Sequence, residues 1–222
     1  MELLIQSFFN VEIMARALPL VWRGFQMTLL LCAIAIPLGL VGGLALALLG
    51  RSHNRAVRWA VMAWVDVFRA LPPLVLLVFV YSGLPFAGIQ LTPLAAVAVA
   101  FLLNSSAYYG EIFRAGIDSV GRGQAEAARS TGLTAVQTMT HVILPQATRN
   151  VLPDLVSNTL EVAKLTSIAS VVSFQELLYA ADMARSITYN ASPIVLAAGF
   201  YLVLLWPLVR LLSRLERRLA SA

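Results

Sequence analysis

Apolar residues recur along this chain in long runs. They show neither the alternation of a half-buried strand nor the narrow stripe of a soluble helix. The runs cover roughly Gly24 to Leu49, Trp59 to Gly83, Pro93 to Phe113, Leu155 to Leu178 and Pro193 to Leu212. Each is close to the roughly 20 residues that a helix needs to cross a bilayer. The expected fold is an all-α integral membrane protein, a single domain over 1–222 with about five transmembrane helices. Asp66, Arg69, Pro72 and Pro73 interrupt the second run. Its first part reads as a short helix at the cytoplasmic surface, followed by a kink at the prolines. In the first run, the spacing of Gly39 and Gly43, with Gly42 beside them, permits close approach of two helix backbones. Glycine is also common in membrane helices without such a contact. No internal repeat of the kind found in many secondary transporters is evident.

One polar stretch, 114–153, separates the third and fourth runs. At about 40 residues it is long enough to have a task of its own. Gln124 to Thr131 is rich in helix formers. Gly132 can adopt positive φ and end that helix. Thr134 can cap a second helix from Ala135 to about Leu144, which Pro145 interrupts. The expected result is a helix-turn-helix on the membrane surface, with Glu126, Ala127 and Ala128 forming a small, flat face. A partnerless amphipathic surface helix is the alternative, but the stretch from Glu126 to Thr131 has few large apolar residues to insert.

Composition and charge narrow the class. Hydrophobic residues make up 59% of the chain and charged residues 12%, and the mean hydropathy of +0.81 leaves no room for a separate soluble domain. The net charge of +5 comes from arginines that flank apolar runs. They do not line one soluble face, which argues against nucleic acid as a partner. One set of connections holds Arg51, Arg55, Arg58, Arg114, Arg122, Arg129, Arg149, Arg210, Arg214, Arg217 and Arg218, and the other only Arg16, Arg23 and Arg185. The rich side should be cytoplasmic, with the N-terminus outside and the C-terminus inside. Trp22, Trp59 and Tyr81 fall near span ends, where aromatic rings favour the interface. No cleavable signal peptide is expected, since the first apolar run is too long and lacks a basic leader. Cys32 is alone and reads as a small hydrophobe. His53 and His141 have no partners at metal-ligand spacing, so no metal site is expected.

Charged residues inside the runs are the candidate chemistry. In the fourth run Asn158, Glu161 and Lys164 recur every three residues, with Ser157 adjacent, and share one helical face. A charge at mid-span costs about 2.5–3.5 kcal/mol, so this face should line an interior path or form a structural ion pair within the bundle. Asp66 with Arg69, and Glu111 with Arg114, are each three residues apart and read as local ion pairs. There is no P-loop and no nucleophile elbow, so neither a catalytic residue nor a nucleotide cofactor is expected in this chain.

The motifs taken together resemble the permease subunits of importer-type ABC transporters. Glu126-Ala127-Ala128, Gly132 and Leu144-Pro145 resemble their "EAA" loop, with Val142 where that pattern has isoleucine. Phe68 to Val75 looks like the "FRGTPLLV" of the polar amino-acid uptake permeases, the histidine and glutamine type. Asn104 to Ile117 looks like their "N-S-x-A-Y-x-x-E-I-F-R-x-G-I". Gly123 to Ala128 resembles "GQxEAA", and Leu144 to Ala147 resembles "LPQA". The segment Leu152 to Ser167 resembles "LPPLGNE" through "KDTS", with Asn158 where the family often has glutamate and Leu165 where it has aspartate.

The resemblance implies a coupling helix that seats in a cytoplasmic ATPase, which binds ATP and Mg. It also implies a second permease subunit (an identical copy or a paralogue), an external solute-binding protein, and alternating access for an amino acid across a bacterial inner membrane. In that picture Glu161 takes over recognition of a substrate ammonium or cationic side chain. The reading from charge alone leaves a competitor open, an ion-coupled secondary transporter with Glu161 and Lys164 as a proton relay. A non-transporting membrane scaffold is a third reading, which the charged stripe disfavours.

Overall fold

The computed structural model describes residues 2–220, apart from the side chains of 215–220. Arg217 and Arg218 of the arginine-rich side therefore lie outside the described side chains. The described residues are helical with no strand. A short α1 (Glu2–Phe8) leads into α2 (Val11–Leu49). Asn10 caps α2, its Oδ1 accepting the Ile13 N–H at 3.1 Å. The helix thus starts well before the expected Gly24, and Pro19 and Pro37 stay inside it.

The second run is a broken span. It consists of α3 (Arg55–Ala70) and α4 (Pro73–Val78), the latter prolonged by a π turn over Phe79–Gly83 and a 3₁₀ turn over Leu84–Ala87. The two parts meet at 104°. The third span is α5 (Pro93–Ser119), six residues longer than expected at its arginine-rich end. Among the described residues, four helices are long and apolar enough to cross a membrane, and five if the bent pair counts as one span.

The polar stretch after α5 folds as α6 (Arg122–Ser130), α7 (Ala135–Gln137), a π segment over Thr138–Ile143, and α8 (Leu144–Asn150). Pro145 does not stop the second helix as expected. The π segment widens the ladder just ahead of it, so the proline's missing N–H and its ring are accommodated.

The expected fourth span, Leu155 to Leu178, is also two elements. First comes α9 (Leu152–Leu165), which tightens into a 3₁₀ stretch over Thr166–Val172. After a turn at Ser173, with φ of 58°, comes α10 (Leu177–Thr188). The cause of the break is Glu176. Its buried carboxylate accepts the N–H groups of Leu178 and Tyr179, each at 2.8 Å, and the Tyr201 hydroxyl at 3.3 Å. Leu177 N–H donates to Thr28 Oγ1 at 3.1 Å. Together these bonds start a new helix between α2 and α11 (Ser192–Ala220).

The main core lies between α2 and α5, with Leu77, Val97 and Tyr109 fully buried in it. The glycine spacing in α2 is a true close contact. A Cβ on Gly39 would sit 2.8 Å from Ser105 Cβ, and one on Gly43 would sit 2.5 Å from Tyr109 Cβ and 2.7 Å from the Gly110 backbone nitrogen. Gly43→Ala should therefore destabilise the fold by about 1–3 kcal/mol, since the neighbour is backbone and cannot rotate away. Gly199→Ala, inside α11 and with an added Cβ that meets nothing within 4 Å, should leave thermal stability in detergent undiminished or slightly raised.

Candidate functional site

The bend between α3 and α4 follows from two adjacent prolines. In a continuous helix the carbonyls of Phe68 and Arg69 would accept from the N–H groups of residues 72 and 73, and both of those are proline. Two side chains one turn apart on α5 take their place. Asn104, buried near the middle of α5, donates Nδ2–H to the Phe68 carbonyl at 2.9 Å. Tyr108 donates its hydroxyl to the Arg69 carbonyl at 3.3 Å. The Arg69 guanidinium lies over the Tyr108 ring, 5.5 Å from its centre. The expected Asp66–Arg69 ion pair is therefore absent. Arg69 is drawn onto the α5 aromatic, and Asp66 stays exposed on α3 without a salt bridge among the described residues.

Beside this joint lies a cavity of about 220 Å³ bounded by Pro73, Asn104, Tyr108, Asn158, Glu161 and Leu165. Asn158 lines it, but its Nδ2 is shielded from solvent and has no hydrogen-bond partner among the described residues; the Tyr109 hydroxyl is its polar neighbour. Of the four residues expected to line a path, Asn158 and Glu161 reach the cavity, whereas Ser157 and Lys164 do not. Lys164 instead pairs with Glu161 one turn away. The side chains of that pair are 51% and 59% exposed, and Asp154 and Ser157 continue the same open face of α9. The opposite face is closed, in part by the 2.7 Å hydrogen bond between the Tyr109 and Thr159 hydroxyls.

At the arginine-rich end, Glu111 and Arg114 pair at 2.5 Å, and Arg114 also reaches Asp118 at 2.8 Å. Asp118 in turn holds Arg51 at 2.7 Å, which ties the end of α2 to α5. The polar stretch seats on that end of α5, where a Cβ on Gly116 would lie 2.9 Å from the Ala147 carbonyl. The Gly132 turn, with φ of 90°, closes α6 in the six-to-one and five-to-two bond pattern. The N–H of Leu133 reaches Ala128 O, and that of Gly132 reaches Arg129 O. Thr134 and Gln137 form a reciprocal capping box. Gln146 joins the two arms, donating to Gln124 Oε1 at 3.3 Å. Glu126 and Ala127 face outward, but Ala128 is buried inside the hairpin, so the outer face is smaller than the flat triad expected. Pro145 is exposed and Leu144 half-buried against the core.

The model of the family described as "Binding-protein-dependent transport system inner membrane component" matches residues 35–221. The chain belongs to that permease family. The probable glutamine ABC transporter permease protein GlnM of Bacillus subtilis (strain 168) is 39% identical over 214 residues, covering 96% of this permease and 99% of GlnM. The arginine transport system permease protein ArtQ of the same organism is 34% identical, covering 92% and 94%. A crystal structure of an amino acid ABC transporter with histidines superposes with a TM-score of 0.85 at 38% identity, covering 94% of this permease and 98% of that chain. An inward-facing MetNI methionine transporter structure, at 20% identity and a TM-score of 0.75, shares the fold.

Sequence reasoning about this permease passed over Asn104, Tyr108, Gln124 and Gln146 as individual residues, although all four stand in the quoted motifs. The signal was a missing donor. Two prolines in an apolar run require two donors from elsewhere, and an Asn and a Tyr four apart on the next helix supply them. Asn104→Leu should then cost about 1–3 kcal/mol by orphaning the buried Phe68 carbonyl. Tyr108→Phe, which removes the longer bond at the half-exposed position, should cost about 1 kcal/mol or less. Thermal unfolding of the purified permease assembly separates the two; equal, negligible losses would show that the bend does not need these donors.

Proposed function

We propose that this chain is the membrane-spanning subunit of an ATP-driven ABC importer for a polar amino acid. The observation that carries this reading is the cavity lined by both Glu161 and Asn158, whose shielded amide N–H has no hydrogen-bond partner among the described residues. An amino acid brings both complements: an ammonium, or a cationic side chain, for Glu161 and an oxygen acceptor for the Asn158 N–H. Lys164 neutralises Glu161 while the cavity is empty, so a substrate cation must compete with it. The names of the relatives, glutamine and arginine permeases, support this substrate class.

The open face of α9 supports a pairwise assembly. Charged side chains at Glu161 and Lys164 on α9, and the exposed Asp66 on α3, would be costly against lipid. A second permease subunit, identical or paralogous, facing this surface would enclose them along a shared path. The arginine-rich end is placed in the cytoplasm, which puts the N-terminus outside and the C-terminus inside a bacterial inner membrane. The hairpin of α6 to α8 then projects Glu126 and Ala127 towards a cytoplasmic ATPase that holds ATP and Mg. Closure of the ATPases would rock the hairpin on its α5 seat and alternate access to the cavity. An external solute-binding protein would deliver the amino acid to the opposite end.

Uptake of labelled arginine, glutamine and histidine into vesicles holding the permease with its ATPase tests this reading. Uptake should require both ATP inside and binding protein outside, and should ignore a proton gradient. Glu161→Gln should lower arginine uptake relative to glutamine about tenfold, the equivalent of about 1.4 kcal/mol for one charge contact. Gly132→Val forces a branched residue into the left-handed region at a cost of about 1–2 kcal/mol. It should therefore lower ATP-coupled uptake while amino-acid binding persists. Gradient-driven uptake without ATP would contradict the mechanism, and unchanged selectivity in the Glu161 variant would contradict the site.

A further inference from the structure

A second cavity, about 360 Å³, opens at the arginine-rich end between α2, α3 and α5. It does not touch the cavity at Asn158. Its wall is apolar, formed by Leu46, Val61 and Val65, while its rim carries Arg51, Glu111, Arg114 and Asp118. The rim charges are not equally engaged. Arg114 uses both arms and Nε on Glu111 and Asp118. Among the described residues Arg51 makes one side-chain hydrogen bond, to Asp118 Oδ1 at 2.7 Å, and its side chain is 44% exposed. The rest of its five-donor fork is available to an anion, with Asp118 fixing its position.

Depth along the bundle identifies what such a pocket meets. Arg51 lies two residues beyond the end of the apolar α2. Its neighbour α3 begins with Arg55 and carries an exposed Trp59, the side-chain types that mark the level of lipid head groups. An occupant must therefore combine an apolar chain, an anion within reach of Arg51, and a group that tolerates two carboxylates.

We propose that this cavity is a binding site for a single phospholipid of the ethanolamine class. Its phosphate sits on Arg51, its ammonium beside Glu111 and Asp118, and the start of an acyl chain against Leu46, Val61 and Val65. The rim is balanced, two guanidinium groups against two carboxylates, so it fits a zwitterionic head better than a purely anionic one. Ammonium N–H donors can hydrogen-bond the carboxylates, which the methylated head of a choline lipid cannot do. The site also bridges α2 to the part of α5 that seats the α6–α8 hairpin. An occupied site would brace that seat.

Native mass spectrometry of the detergent-purified permease assembly tests the proposal. The assembly is titrated with palmitoyl-oleoyl phosphatidylethanolamine, phosphatidylcholine and phosphatidylglycerol. One ethanolamine lipid per permease chain should survive at collision energies that strip the other two. Arg51→Gln should weaken its retention about fivefold, as loss of one headgroup cation contact implies. Val61→Trp fills the apolar wall without touching a charge and should abolish retention while the assembly stays intact in the same spectra. Dissolved phosphoethanolamine, which has the head but no chain, should not displace the lipid. Equal retention of all three lipids, preference for phosphatidylglycerol, retention unchanged in both variants, or displacement by phosphoethanolamine would each overturn the proposal.

Discussion

Two missing backbone donors organise the middle of this permease. Pro72 and Pro73 remove the N–H groups that would have carried α3 straight on into α4, and leave two carbonyls in need of partners. A buried carbonyl left unpaired costs about 1–3 kcal/mol, so partners from the protein stabilise the bend. Asn104 and Tyr108 supply them from the middle of α5. The bend, the placement of Pro73 in the cavity wall and the position of Arg69 over Tyr108 all follow from that exchange. The α2–α5 contact provides the rigid partner it needs, because glycines at 39, 42 and 43 bring the two backbones together on the other side of α5.

Apolar run length pointed to the helices that are long and apolar enough to cross a membrane, and the prolines to the break in the second run. The glycine spacing in α2 also proved to be a contact. The sequence was less informative wherever one side chain redirected the backbone from a distance. Glu176 ends the fourth span early by capping α10, but in the sequence it stands inside a run that hydropathy alone joins into one helix. Pro145 looked like a stop and is not one, since a π segment ahead of it re-routes the ladder. The Asp66–Arg69 pair failed for a related reason. Spacing along one helix says nothing of the tyrosine that competes for the arginine from the next. Within the site, Asn158 and Glu161 were legible as a polar face. That Asn158 turns into the cavity while Lys164 stays outside it depends on how α9 is rotated against α5, which no local pattern encodes.

Polar groups in this permease divide into those already satisfied and those still waiting. Most buried ones are spoken for: Glu176 by two backbone N–H groups, Thr28 by Leu177, Tyr109 by Thr159. Asn158 Nδ2 is not, and Asp66 and the Glu161–Lys164 pair stand on open faces. Unmet polar groups in an apolar medium are costly, so their position is informative. Thr138 Oγ1 in the hairpin is also without a partner among the described residues, and the others lie on the bent span and on α9. The satisfied ones anchor the surrounding helices.

The proposed resting place of the cargo is the cavity beside that bend. The most direct measurement is the position of a bound amino acid in a structure of the assembled transporter. Its ammonium or cationic side chain should lie at Glu161 and an oxygen within reach of the Asn158 amide, with the α3–α4 bend and the Asn104 bond to Phe68 intact. A substrate seated away from the cavity of Pro73, Asn104, Asn158 and Glu161, or a straightened second span, would contradict it.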